Sequence, residues 1–141
     1  MIIRTVNSSE EKQTAFDVRT TVFVDEQKVP PEVELDEFDE EAIHLIGYDE
    51  NVPIAASRVR FVDGNGKLER ICVLKSQRGK SHGADMIRAM EDIISKEGYH
   101  KAKLNAQTPA IDFYRKLGYD VVSDEFIDAG IPHVTMTKQL K

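Results

Sequence analysis

Tryptophan is absent from this sequence, and cysteine occurs once, as Cys72. A lone cysteine excludes an internal disulfide framework and a multi-cysteine metal site. It fits a reducing compartment. Long apolar runs are also missing. No stretch approaches the length of a membrane span, and Met1-Ile2-Ile3-Arg4 is not followed by the apolar region of a secretory signal. A cytoplasmic location is therefore the expectation, with no membrane partner. The histidines, His44, His82, His100 and His133, lack the HExxH type of spacing, so no metal is expected. An excess of basic charge is missing as well. The net charge is −6, and phosphate neutralisation needs a basic face, so nucleic acid is not an expected partner.

What is present reads as one domain over residues 1–141. Hydrophobic residues make up 40% and charged residues 31%, a balance that supports a packed core. No repeat, linker or low-complexity tract divides the chain. Charge is unevenly placed: residues 25–41 carry nine acids against one base, a net of −8. Such a segment either attracts amines to a nearby site or is a solvated acidic loop.

Local patterns give an element order. Ile2, Ile3 and Val6 suggest a first strand. Ser8 or Ser9 with Glu11 opens a helix with capping-box character that runs to Val24, and Pro30-Pro31 then stops regular structure. Residues 42–48, 53–62 and 67–73 read as strands. The last two are joined at Asp63-Gly64-Asn65-Gly66, where the Asn-Gly pair predicts the hairpin turn. Gly83, Met86, Ile87, Met90, Ile93 and Ile94 lie at helical spacing with charges on the other side, and Gly98 ends that helix. A strand over 101–106 follows. Thr108-Pro109 opens a second helix that ends at Gly118, and 119–122 and 133–138 complete the strands. The order predicts an α/β (α+β) domain with a mixed, mostly antiparallel sheet of six to seven strands and about four helices.

Gln77-Arg78-Gly79-Lys80-Ser81-His82-Gly83 sits between a strand and the amphipathic helix. Successive N–H groups at a helix start, with its dipole, favour an anion, and Arg78 and Lys80 add positive charge. The spacing is that of neither a P-loop nor a Rossmann loop. The stretch resembles the acetyl-CoA pyrophosphate loop of the GNAT superfamily of N-acyltransferases. It departs at Ser81, where glycine is usual, and at His82, where an apolar residue is usual. The strand Leu68-Glu69-Arg70-Ile71-Cys72-Val73 before the loop resembles that family's acyl-CoA strand. Phe113-Tyr114-Arg115-Lys116-Leu117-Gly118-Tyr119 after it resembles the F-Y-x-K-L-G-F signature. A narrower likeness, to the YjcF/ElaA-like branch, lies in Val22-Phe23-Val24-Asp25-Glu26-Gln27 with Glu34, Asp36 and Asp39. Ala106-Gln107 and Gly130-Ile131-Pro132-His133 belong to it too.

The resemblance implies a GNAT fold whose splayed central strands form an acyl-CoA cleft. It implies acetyl-CoA-dependent acetylation of a primary amine by direct transfer in a ternary complex. Arg78, Gly79, Lys80, Ser81, His82 and Gly83 would hold the pyrophosphate. The backbone of Ile71, Cys72 and Val73, with Asn105, would hold the pantetheine arm. Tyr114 would protonate the leaving thiolate; a phenol remains protonated at neutral pH. The base is open between Glu69, which period-two alternation places on one face with Ile71 and Val73, and His133, whose imidazole suits proton exchange near neutrality. Phe23, Glu26, His44 and Gln107 are the acceptor-side candidates, with Glu34, Asp36 and Asp39 as an acidic rim or a solvated loop. Polyamines, amino sugars, amino acids and protein amines all fit as acceptors. A covalent acyl-Cys72 is not expected, because no activating neighbour is visible. The alternative function is a non-catalytic acyl-CoA-binding regulatory or scaffold domain. The chain is expected as a monomer or homodimer.

Overall fold

The computed structural model describes residues 1–140. Its elements follow as β1 (Ile2–Thr5), α1 (Ser9–Arg19), α2 (Pro31–Glu34), β2 (Ile43–Asp49), β3 (Val52–Val62), β4 (Asn65–Val73), α3 (His82–Lys96), β5 (Lys101–Gln107), α4 (Ile111–Lys116), β6 (Asp120–Val121), β7 (Phe126–Asp128) and β8 (Ile131–Gln139). The eight strands form one sheet in the order β1-β2-β3-β4-β5-β8-β6, with β7 also on β8. All pairs are antiparallel except β4 with β5. The strand count exceeds the six to seven expected, because β7 follows Ser123-Asp124-Glu125 and carries no apolar run.

Period-two alternation divides the sheet into two cores. Leu45, Val59, Leu68 and Leu104 face α3, which contributes Met86, Ile87, Met90 and Ile94. Ile46, Ala56 and Cys72 face the opposite side, against Ala15 and Val18 of α1. The β3–β4 turn falls at Asp63 and Gly64, with φ of +52° and +78°. The expected Asn65-Gly66 pair lies in β4 instead. Gly66 is there because any side chain would collide with Ile94 across the sheet face.

Two helical readings are corrected. The first helix is α only to Arg19, and residues Thr20–Glu26 continue it as a π-helix. Threonines 20 and 21 and valines 22 and 24 are poor α formers. Pro31 does not stop structure but starts α2, where its missing N–H is harmless. No helix among the described residues is long and apolar enough to cross a membrane.

Candidate active site

The sheet opens in its middle. β4 and β5 pair in parallel only at Gly66, Lys67 and Leu68, opposite Ala102, Lys103 and Leu104. Beyond Leu68 the edge of β4 that faces β5 has no ladder partner. The divergence accompanies a bulge: Arg58 opposes Glu69 and Ala56 opposes Cys72, so two β4 residues stand against Ser57 alone. Arg70 takes the left-handed conformation there, with φ +55°. The conformation is costly for a residue with a Cβ. Its guanidinium is tied to the Glu34 carbonyl (3.2 Å), the Val33 carbonyl (3.3 Å) and the Asp36 carboxylate (3.2 Å).

The bulge inverts the alternation read from sequence. Ile71 and Val73 pack toward the α3 core, while Cys72 belongs to the α1 side. Glu69 therefore does not share a face with Ile71 and Val73. It is held by Arg58 (2.9 Å), Arg60 (2.7 Å) and Lys67 (3.2 Å). Burial alone would raise its pKa, but the Arg60 hydrogen bond and the charges of Arg58 and Lys67 prevail, and it falls to about 2. A carboxylate so stabilised is a poor proton acceptor near neutrality. Glu69 lines the cleft as a clamped wall residue.

The opening between β4 and β5 is a cleft of about 280 Å³, walled by Phe23, Ile71, Asn105, Tyr114 and His133 among others. Tyr114 comes from α4, packed edge-on against Phe113 and Tyr119. Burial pushes its phenol up to about 12, so it keeps its proton. His133, on β8, lies opposite Gln107 in the register and stacks on Phe126. Its Nδ1 is 2.7 Å from the Ile131 carbonyl. A carbonyl only accepts, so Nδ1 carries a proton, and in the neutral ring Nε2 is the nitrogen with the lone pair. Asn105 accepts from the Thr135 hydroxyl at 2.9 Å, leaving its amide nitrogen uncommitted. Gln107 donates to Gln27 at 3.1 Å, which ties the end of β5 to the segment after the π-helix. Cys72 is fully packed, its thiol pushed up to about 12 by burial and bonded to the Ala56 carbonyl. Only its backbone is available to a ligand.

The loop before α3 has the features of an anion cradle. No described residue accepts a hydrogen bond from the N–H groups of residues 79–84. Gly79 has φ +83°, and nothing lies within 4 Å of where its Cβ would be. Ser81 occupies the left-handed region at the N-cap without capping the helix through its side chain. Both ring nitrogens of His82 are buried and unpartnered. Lys80 reaches only Gln77, at 3.3 Å. The set fits a pyrophosphate, with one correction. The guanidinium of Arg78 is held bidentately by Glu26, at 2.6 and 2.7 Å, and donates through Nε to the Val73 carbonyl. Glu26 accordingly belongs to the phosphate loop rather than to the acceptor wall.

Two further expectations fail. His44 lines neither the cleft nor the recess beside it. It is buried against Phe16 with Nε2 bonded to the Asp39 carbonyl, and burial lowers its pKa. Glu34, Asp36 and Asp39 do not form a solvent-facing rim. Arg19 bonds Glu34 (2.8 Å) and Asp39 (2.7 Å), and Arg58 bonds Asp36 (2.7 Å) and Asp39 (2.8 Å). Sequence reasoning missed Gln27, Arg70 and Asp128, which also line the cleft. Only the positive φ of Arg70 would have marked it, and no glycine signals that conformation.

A sheet that parts at one parallel pair, with an open N–H loop at the head of the following helix, suits a ligand that joins an extended amide chain to a phosphate. Comparison with known proteins narrows the class. The acetyltransferase (GNAT) domain family matches residues 6–140, and the chain belongs to that family. It is 49% identical over 132 residues to the uncharacterised N-acetyltransferase YjcF of Bacillus subtilis, covering 93% of this chain and 94% of that protein. A crystal structure from Lactobacillus plantarum, titled as that of an N-acetyltransferase not yet established, superposes with a TM-score of 0.92. Its identity is 27%, covering 99% of this chain and 98% of that one. Escherichia coli ElaA shares the fold, with a TM-score of 0.87 at 20% identity and coverage of 98% and 99%. Kinship with YjcF and the N-acetyltransferase assignment follow.

Proposed function

We propose that the protein transfers an acetyl group from acetyl-CoA directly to a primary amine held in the same cleft. The carrying observation is the parting of β4 and β5 after three pairs, with Tyr114 and His133 both on the cleft wall. Residues 79–84 would hold the pyrophosphate through their free N–H groups. The open edge of β4 at Ile71, Cys72 and Val73 would pair with the pantetheine amides as an added strand does. Asn105 would supply its free amide nitrogen from β5.

Acetyl-CoA contributes the activated acyl group as a thioester. The residues of the chain manage position and protons. His133 Nε2, in the neutral ring, takes one proton from the bound ammonium, and the free amine so formed attacks the thioester carbonyl; Tyr114 gives its proton to the departing sulfur and regains one from the second N–H that the new amide sheds. The new C–N bond replaces the C–S bond, CoA leaves as the thiol, and the one net proton released is carried by His133. Glu69 positions strand β4 through its arginines.

Titration calorimetry with acetyl-CoA should show one binding site, and Lys80→Ala should weaken it. Amine-dependent release of free thiol should follow. Absence of acetyl-CoA binding overturns the reading; binding with no thiol release for any amine leaves the non-catalytic domain.

The Arg78–Glu26 pair gives a second expectation. Glu26→Gln should bind acetyl-CoA several-fold more tightly, because it frees Arg78 for phosphate and removes a nearby negative charge. Unchanged or weaker binding in that variant would show that Glu26 instead presets the loop.

A further inference from the structure

A smaller recess of about 90 Å³ adjoins the cleft, between residues 23–34 and the β7–β8 hairpin. It shares Phe23, Gln27, Arg70, Gln107, Asp128 and His133 with the cleft. A ligand reacting at His133 would extend into it. The recess contains two carboxylates that the protein leaves incompletely matched. Asp128 is exposed at the end of β7, and no cation among the described residues pairs with it. Its position is fixed by a two-residue turn, Ala129 at φ +52° and Gly130 at φ +77°, the geometry of a tight type I′ hairpin. Glu34 is 1% exposed. Its Oε1 accepts from Arg19, but its Oε2 has no hydrogen-bond partner. A buried carboxylate oxygen without a donor is unusual in a folded protein, and a ligand N–H would satisfy it.

The one cation in the recess is Arg70. It is already committed to the carbonyls of Val33 and Glu34 and to Asp36, and stands 3.5 Å from Glu34 Oε1. Val29, Val33 and Ile131 complete the lining with apolar surface. Apolar walls with unmatched negative charge suit an alkyl chain that ends in an ammonium.

Resting on the acetyltransferase reading, we infer that the acceptor is an alkyl amine with a second cationic group. One amine loses its proton at His133 and reacts. The other remains an ammonium, held in the recess by Asp128 and the free oxygen of Glu34.

The test compares 1,4-diaminobutane, n-butylamine and 4-aminobutanoate as acceptors, following thiol release. Beside it, calorimetry measures binding of each amine to the protein saturated with CoA. The diamine should exceed butylamine by about tenfold or more in kcat/KM and in affinity. Asp128→Asn, a surface change that leaves the core untouched, should shrink that ratio several-fold, and so should 0.5 M salt. Equal use of diamine and butylamine, preference for the aminocarboxylate, or a ratio untouched by Asp128→Asn overturns the inference. If the diamine binds preferentially and no amine is acetylated, the recess is a diamine site as inferred and the catalytic reading fails. Acetylation without diamine preference gives the reverse.

Discussion

Tyr114→Phe should lower turnover by about a hundredfold or more, the usual scale for removing a general acid, with little change in acetyl-CoA affinity. The substitution keeps the edge-on contacts with Phe113 and Tyr119. Burial is the sole influence on the phenol, which reaches about 12 without a hydrogen-bonding partner. No protein hydrogen bond is lost, so the fold should tolerate phenylalanine. Against a thiol in water, whose pKa is about 8.5, such a phenol would be a weak acid. Its contribution therefore comes from hydrogen-bonding the sulfur as negative charge develops on it. The phenol also holds its proton up to about pH 11, so its ionisation should not produce an alkaline fall in rate below pH 10. Steady-state rates of wild type and variant from pH 6 to 10 check both points. An unchanged kcat in the phenylalanine variant would remove Tyr114 from the chemistry.

Asp39→Ala should be the most destabilising single change in the arginine network, by about 3–5 kcal/mol. Asp39 accepts from both Arg19 and Arg58, which are 0% and 1% exposed. Removing it takes the shared carboxylate from two buried guanidiniums and leaves Arg19 with Glu34 and Arg58 with Asp36 and Glu69, so donors of both are left unsatisfied in the interior. A loss of that size is a large part of the total stability of a domain this small, and urea midpoints would measure it. Stability should depend on acid for the same reason. Burial would raise Asp39, but hydrogen bonds from Arg19 and Arg58 outweigh burial and hold it at about 2. Glu69 is held at about 2 likewise. Both lie below the value of about 4 expected in the unfolded chain. Their contribution is therefore complete above about pH 5 and is lost as pH falls toward 2. Asp39→Asn should flatten part of that slope. An alanine variant within about 1 kcal/mol of wild type would mean that the network is relieved by water.

The acid network also shows where the sequence was opaque. The acids of residues 25–41 are visible as a run, but their partners Arg19, Arg58 and Arg70 lie in α1, β3 and β4. Charge pairing across that distance has no local signature, so Glu34, Asp36 and Asp39, which the arginines neutralise, look no different in sequence from Asp25, Glu32, Glu37, Glu40 and Glu41, which are exposed. Strand β4 misled for a similar reason. A bulge at glycine would have announced itself; a bulge at Arg70 leaves an unbroken apolar alternation. Reading that alternation literally put Glu69 on the wrong face. By contrast, α3 was legible throughout, since Met86, Ile87, Met90 and Ile94 are all buried as their spacing requires. The open loop before α3 was legible because glycine, basic residues and a helix start are contiguous. The π-helix was not, since one continuous helical path fits its residues as well.

The unclaimed amide protons of residues 79–84 have a spectroscopic consequence. In deuterated water they lack the bonds that slow isotope exchange elsewhere in the sheet. They should label within the earliest time points, beside strands that resist labelling. An anion seated among them would slow that exchange locally. The loop thus reports its own occupancy at six consecutive residues, with no dye, mutation or turnover needed to read it.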